Sequence, residues 1–286
     1  MSGADSRGAV VVTGSSTGIG RACAIGLDRA GFTVFAGVRK SEDAEALAAL
    51  GSDRLQTLIV DVTDQEAIAA AAERVREATG GRLAGLVNNA GVSVAGPVEA
   101  VPLDEYRRQL EVNLIGQIAV TQAFLAMVRV ARGRVVFISS IGARGGIAYL
   151  SPYNASKAAL SAVGDSLRQE MRQFGVGVSV LEPGSIATEI WDKGIEAAPA
   201  MRESLGPGMD ELYGAKLERM EALAAKTGAR GLPAETVAEA VEHALTAEKP
   251  KARYTIGREA QIQRVARALL PAPAFDRIVE REIENA

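Results

Sequence analysis

The chain is poor in the residues on which several large classes of chemistry depend. It has one cysteine, Cys23, and one histidine, His243, among 286 residues. A single cysteine cannot pair within the chain, so a reducing setting, the cytoplasm, is expected. One histidine leaves no His cluster for zinc and removes Ser-His-Asp and Cys-His catalysis unless His243 itself serves. A hydrolase fits worse still, because there is no Gly-x-Ser-x-Gly elbow and His243 has no evident acid partner. Charge is balanced: 32 Lys+Arg against 35 Asp+Glu leave −3, without the basic excess of a nucleic-acid binder. No uninterrupted apolar run approaches the roughly 18 to 20 residues of a membrane span, and residues 1–8 are polar and small, unlike a signal peptide. A soluble, unprocessed protein is expected.

What is present is apolar and periodic. Hydrophobic residues make up 48% of the chain, enough for one large α/β domain or two small ones. No repeat, low-complexity tract or linker divides it, so one domain over 1–286 is expected. Apolar, β-branched runs at 9–12, 33–37, 55–60, 83–87, 134–138, 176–181 and 253–256 have the continuous hydrophobicity of strands buried on both faces. The segments between them are long enough for crossover helices, which predicts a doubly wound parallel sheet of about seven strands. Thr63-Asp64-Gln65-Glu66 has capping-box spacing and opens a helix to Thr79, ended by Gly80-Gly81. Leu160, Val163, Leu167 and Met171 recur at helical intervals, and Pro233 suits the first turn of a helix to about Ala247. Between 188 and 230 the rhythm breaks. That stretch has Pro199, Pro207 and five glycines (Gly194, Gly206, Gly208, Gly214, Gly228), yet also Trp191, Met201, Leu205, Met209, Leu212, Tyr213 and Met220, which reads as a partly helical substrate lid. Cys23 and His243 are expected to be structural; Trp191 could cap the core or wall a substrate pocket.

The first strand runs into Thr13-Gly14-Ser15-Ser16-Thr17-Gly18-Ile19-Gly20 and then a helical stretch. A strand, a glycine-rich turn and a helix N-terminus make a site for a diphosphate, since small residues let backbone N–H groups approach the anion and the helix dipole favours it. Alone, the pattern is equally that of a tight βα turn, and its spacing is not the usual Gly-x-Gly-x-x-Gly.

Taken with Asn88-Asn89-Ala90-Gly91, Asn113, Ser140, Tyr153-Asn154-Ala155-Ser156-Lys157 and Pro183-Gly184, the turn resembles the classical short-chain dehydrogenases/reductases, in the family's order and spacing over about residues 8–190. The resemblance implies a nicotinamide cofactor and a small carbonyl or alcohol substrate. Reducing a carbonyl develops an alkoxide, which needs a proton donor and a hydrogen-bond donor on one oxygen. Tyr153 is the implied acid/base; Lys157, one helical turn on, would favour its ionised form. Elsewhere a Tyr and a Lys at this spacing would be an ordinary solvated helix face. The resemblance further implies that Ser140 orients the substrate carbonyl and that Asn113 holds a water relaying protons to Lys157. It assigns the cofactor to Gly14, Ser16, Thr17, Gly18, Ile19 and Gly20 (diphosphate), Asp61 and Val62 (adenine), Asn89, Ala90 and Gly91 (ribose), and Tyr153 and Lys157. Pro183, Gly184, Ile186 and Thr188 complete that set, flanking the nicotinamide.

At the end of the second strand stand Val38-Arg39-Lys40, with no carboxylate before Glu42. An Arg there suits the extra phosphate of NADP(H), whereas NAD(H) enzymes usually carry Asp or Glu, so NADP(H) is favoured with NAD(H) open. An NADP(H)-linked oxidoreductase is expected. An NAD-dependent alcohol dehydrogenase of the same family and a non-catalytic nucleotide sensor are the alternatives. Pro250 to Gly257 and the apolar residues Leu269, Leu270 and Phe275 loosely resemble the steroid and retinoid branch, which implies a lipophilic substrate. The family also implies a homodimer or homotetramer.

Overall fold

The computed structural model describes residues 7–191, 196, 199, 203 and 208–284. Strands and helices alternate: β1 Ala9–Val12, α1 Gly18–Arg29, β2 Thr33–Val38, α2 Ser41–Ala48, β3 Leu55–Ile59, α3 Gln65–Thr79 and β4 Gly85–Asn88. Then come α4 Leu103–Leu110, a π turn Glu111–Ile115, α5 Gly116–Ala131, β5 Arg134–Ile138, α6 Ser151–Met171 and β6 Gly177–Pro183. Helices α7 Met209–Arg230 and α8 Ala234–Thr246, strand β7 Arg253–Ile256, and helices α9 Arg258–Leu269 and α10 Ala272–Glu284 complete the described chain. All strand pairings are parallel, in the order β3-β2-β1-β4-β5-β6-β7. This is the expected doubly wound fold, with all seven expected strands in place.

Alternation along each strand builds two cores. Val10, Val12, Val34 and Ala36 face a layer with Leu27, Val237 and Val241, whereas Val11, Phe35, Leu86, Val135 and Phe137 face one with Val75, Phe124, Val128 and Leu160. Helices therefore cover both faces, which is why these strands read as uninterrupted apolar runs. Chain direction across the sheet reverses between β1 and β4, where successive crossovers pass to opposite sides. The strands' carboxyl ends diverge there into the crevice in which open α/β sheets bind ligands.

One local expectation is corrected and one made definite. The N-cap of α3 is Asp64, which accepts from the Glu66 and Ala67 amides at 2.9 and 3.0 Å, while Thr63 donates its hydroxyl to Asp61 at 2.8 Å. The second half of the irregular stretch is one continuous 22-residue helix, α7. Its glycines serve close packing: a Cβ on Gly228 would lie 3.2 Å from that of Trp191. Gly194, Met201, Leu205, Gly206 and Pro207 lie outside the described residues. The segment Leu103–Ala131 is long and apolar enough to cross a membrane by length and hydropathy alone. Here it packs on the sheet, with Val120, Phe124 and Val128 in the core.

Candidate active site at the strand ends

The glycine turn leaves β1 at the crevice, and its three glycines have separate reasons. Gly14 and Gly18 adopt φ of 65° and 53°, where a side chain is strained. A Cβ on Gly20 would lie 2.1 Å from the Gly14 carbonyl oxygen, so only glycine lets α1 start this close to the strand. At the N-terminus of α1, Thr17 makes no side-chain cap hydrogen bond and no acidic residue occupies the first turn. Ile19 and Ser16 line the same turn, half-buried. Amides left open at a positive helix end, with no Cβ between them and a ligand, fit a diphosphate.

The turn is tied to the exit of β4. Thr13 Oγ1 accepts from the Asn89 and Ala90 amides at 3.0 and 3.1 Å, and Asn89 Nδ2 donates to the Thr13 and Gly14 carbonyls at 2.9 and 3.0 Å. Thr188 closes the other side, its Cβ 3.1 Å from where a Gly18 side chain would begin. Ile186 is buried and bridges to Leu232, and Gly184 donates to the Ile256 carbonyl at 2.9 Å, so Pro183 to Thr188 lies fixed along the crevice. Arg39 stands exposed after β2. Asp61 is partly buried, which raises its pKa, but hydrogen bonds from Thr63 and the charge of Arg39 outweigh this and lower it below the usual value. Val62 beside it is buried, its carbonyl oxygen under Gly116.

Beyond the sheet's switch point, Ser140, Tyr153 and Lys157 come together. Ser140 follows β5 and Tyr153 lies in the first turn of α6, with their hydroxyls near each other. Burial pushes the Tyr153 phenol above its ordinary pKa, and the neighbouring Ser140 hydroxyl draws it partly back. Lys157 Nζ sits 5.8 Å from the Tyr153 ring centre and donates to the Ile138 carbonyl at 2.8 Å. Its burial brings its pKa down to about 8. Ser139 is committed elsewhere, to the Lys157 carbonyl and the Ser161 hydroxyl at 3.0 and 2.8 Å, which leaves Ser140 as the serine turned to the crevice.

Asn113 lies inside the π turn, a local geometry that often marks functional sites. Its carboxamide accepts from the Val92 amide at 2.8 Å and donates to the Val92 carbonyl and Ser156 Oγ at 2.9 and 3.1 Å. The side chain thus clamps the strand-exit loop onto α6. A Cβ on Gly91 would sit 3.3 Å from Asn113 Oδ1 and 3.6 Å from Lys157 Nζ, so this glycine keeps the space beside the ammonium open.

Sequence reading missed the partners of Asn113. Gln109, Asn113, Gln117 and Thr121 are all buried at spacing four along one helical segment. Gln109 bonds the Val94 amide and the Val92 carbonyl, Gln117 the Ala90 carbonyl, and Thr121 accepts from Asn88 Nδ2 at 2.9 Å. A polar residue at every turn of an otherwise apolar helix was the available signal. Cys23 is fully buried with its pKa raised to about 12, and His243 Nδ1 is 2.9 Å from the Tyr254 hydroxyl. Both are structural, as expected. Trp191 Nε1 donates to the Ile186 carbonyl at 2.8 Å and its ring lies on Gly228, so it joins the Pro183 to Thr188 segment to α7.

Comparison with known proteins agrees with this geometry. The short chain dehydrogenase family matches residues 8–198. The chain is 40% identical to 17-beta-hydroxysteroid dehydrogenase type 6 of Bos taurus, over 95% of this chain and 87% of that protein. It is 35% identical to the NADPH-dependent 3-dehydrocapnine reductase of Ornithobacterium rhinotracheale, over 96% and 97%. A short-chain dehydrogenase crystal structure from Streptomyces avermitilis superposes with a TM-score of 0.75 at 31% identity, covering 93% of each chain. Fold, motifs and relatives converge: the chain belongs to the short-chain dehydrogenase/reductase family, oxidoreductases that act on hydroxyl or carbonyl groups with a nicotinamide cofactor.

Proposed function

We propose that this chain is a single-domain cytoplasmic enzyme that uses NADP(H) to interconvert a lipophilic ketone or aldehyde and its alcohol. The observation that carries the reading is the Ser140–Tyr153–Lys157 cluster beside the open α1 N-terminus. A nicotinamide, when bound, donates or accepts the hydride; the chain manages the protons. With its pKa raised, Tyr153 keeps its proton at neutral pH, the state required to protonate an alkoxide as it forms. The Ser140 hydroxyl donates to the same oxygen. In the oxidative direction the phenolate is needed, and the Lys157 ammonium is the charge that favours it. The Asn113 carboxamide is already engaged, so a relay water would bind its backbone carbonyl rather than its side chain. Arg39 supports NADP(H), as does the NADPH dependence of the reductase relative. Exposed Ile115 and Val130 along the long helix support a homodimer or homotetramer.

Tyr153→Phe keeps the ring and removes the proton. Turnover of a ketone panel with NADPH should fall by at least about a hundredfold while NADPH binding, read by fluorescence, stays within about twofold. Near-parental turnover refutes the reading.

A further inference from the structure

Behind the Ser140 turn lies a carboxylate with no exposed surface. Glu182, next to last in β6, is 0% exposed and receives both its oxygens' partners from arginines. Arg144 Nε donates to Oε2 at 2.7 Å, Arg253 of β7 donates to Oε1, and the Thr255 hydroxyl reaches Oε2 at 3.4 Å. Arg253 also pairs with Asp165 on α6, the helix that carries Tyr153 and Lys157. One buried charge therefore ties together the ends of β5, β6 and β7 and the helix bearing the proton donor.

Such a pair is poor evidence for stability, because desolvating two charges offsets much of their attraction. What it fixes is position. Arg144 is the last residue of the 3-10 turn Ile141–Arg144, whose N-cap is Ser140, with the Ser140 oxygen accepting from the Gly142 amide at 3.1 Å. Gly142, Gly145 and Gly146 give the segment little stiffness of its own. Ile141 and Gly142 are buried at the start of the turn, and Arg144 gives its far end a polar anchor on Glu182.

We propose that Arg144, anchored on Glu182, is a positioning residue for the reaction: it fixes the 141–144 turn and thereby the direction of the Ser140 hydroxyl toward Tyr153 and the substrate oxygen. The inference rests on the Ser140 assignment above. A double-mutant cycle tests it, with Arg144→Met, Ser140→Ala and their combination assayed at saturating cofactor on the ketone the parent enzyme reduces fastest. Arg144→Met should lower kcat about tenfold with cofactor affinity within twofold. Arg144→Lys, which can still donate to Glu182, should recover part of that loss. In the Ser140→Ala background the Arg144 change should cost less than twofold, since the hydroxyl it positions is gone. Glu182→Gln, which keeps the shape and removes the charge, should follow the same pattern. An equal loss in both backgrounds, or unchanged kcat in the single variants, overturns the inference alone. Parental turnover in Ser140→Ala overturns the site reading and this inference with it.

Discussion

Lys157 holds an ammonium where little water reaches, and its burial has a readable consequence. A lysine whose pKa is lowered to about 8 in the folded chain is charged below that pH and loses its charge as pH rises through it, well before an exposed lysine near 10.5 would. Cofactor affinity of the parent chain should therefore be flat below about pH 8 and weaken above it. Lys157→Met should bind more weakly at neutral pH and show no such step. A step that persists unchanged in the variant assigns the titration elsewhere. Under the proposed NADP(H) reading, Arg39 would bear on the other end of the cofactor. Arg39→Asp removes a charge-assisted contact worth roughly 1.5 to 3 kcal/mol and adds repulsion. NADPH should bind at least about tenfold more weakly and NADH within about twofold, by fluorescence titration. A parent enzyme that already prefers NADH removes the NADP(H) assignment.

Elements differ in how openly their sequences declare them. The central strands were legible because burial on both faces demands nearly unbroken apolar runs, and β1 and β5 fall on the expected residues. The Tyr153–Lys157 pair was legible through its resemblance to the family's motif, since the spacing alone is that of any solvated helix face. The seam Gln109–Asn113–Gln117–Thr121 was not, because a hydrophobic-periodicity reading treats scattered polar residues in an apolar helix as noise. Only the fold shows them facing the unpaired amides and carbonyls of the β4 exit. The extent of helix α7 was not legible for the converse reason. Gly214 and Gly228 weigh against a helix by propensity, and the contact of Gly228 with Trp191 that outweighs it is tertiary. The Arg144–Glu182 pair was equally invisible, its partners 38 residues apart on different elements.

At the scale of the whole molecule, the proposed lipophilic substrate bears on how α7 is joined to the rest of the chain. Tyr213 in the first turns of α7 meets Tyr149 edge to face at 6.3 Å and bonds Glu99, linking α7 to the segment before α6 and to the loop after β4. Tyr149 takes a φ of 65°, unusual for a non-glycine residue, and its carbonyl accepts from the Gly96 amide at 2.7 Å. The Tyr149–Tyr213 pair puts aromatic surface, beside the Glu99 carboxylate, next to the segment that leads into α6, which is in keeping with the lipophilic substrate proposed above. A buried methylene contributes about 0.8 kcal/mol, roughly fourfold in binding. Catalytic efficiency should therefore climb by about that factor per added carbon across a ketone series from short chains to fused rings, until the cleft is filled. A flat series, or preference for sugars or charged acyl carriers, would remove the lipophilic assignment and leave the Ser140–Tyr153–Lys157 chemistry standing.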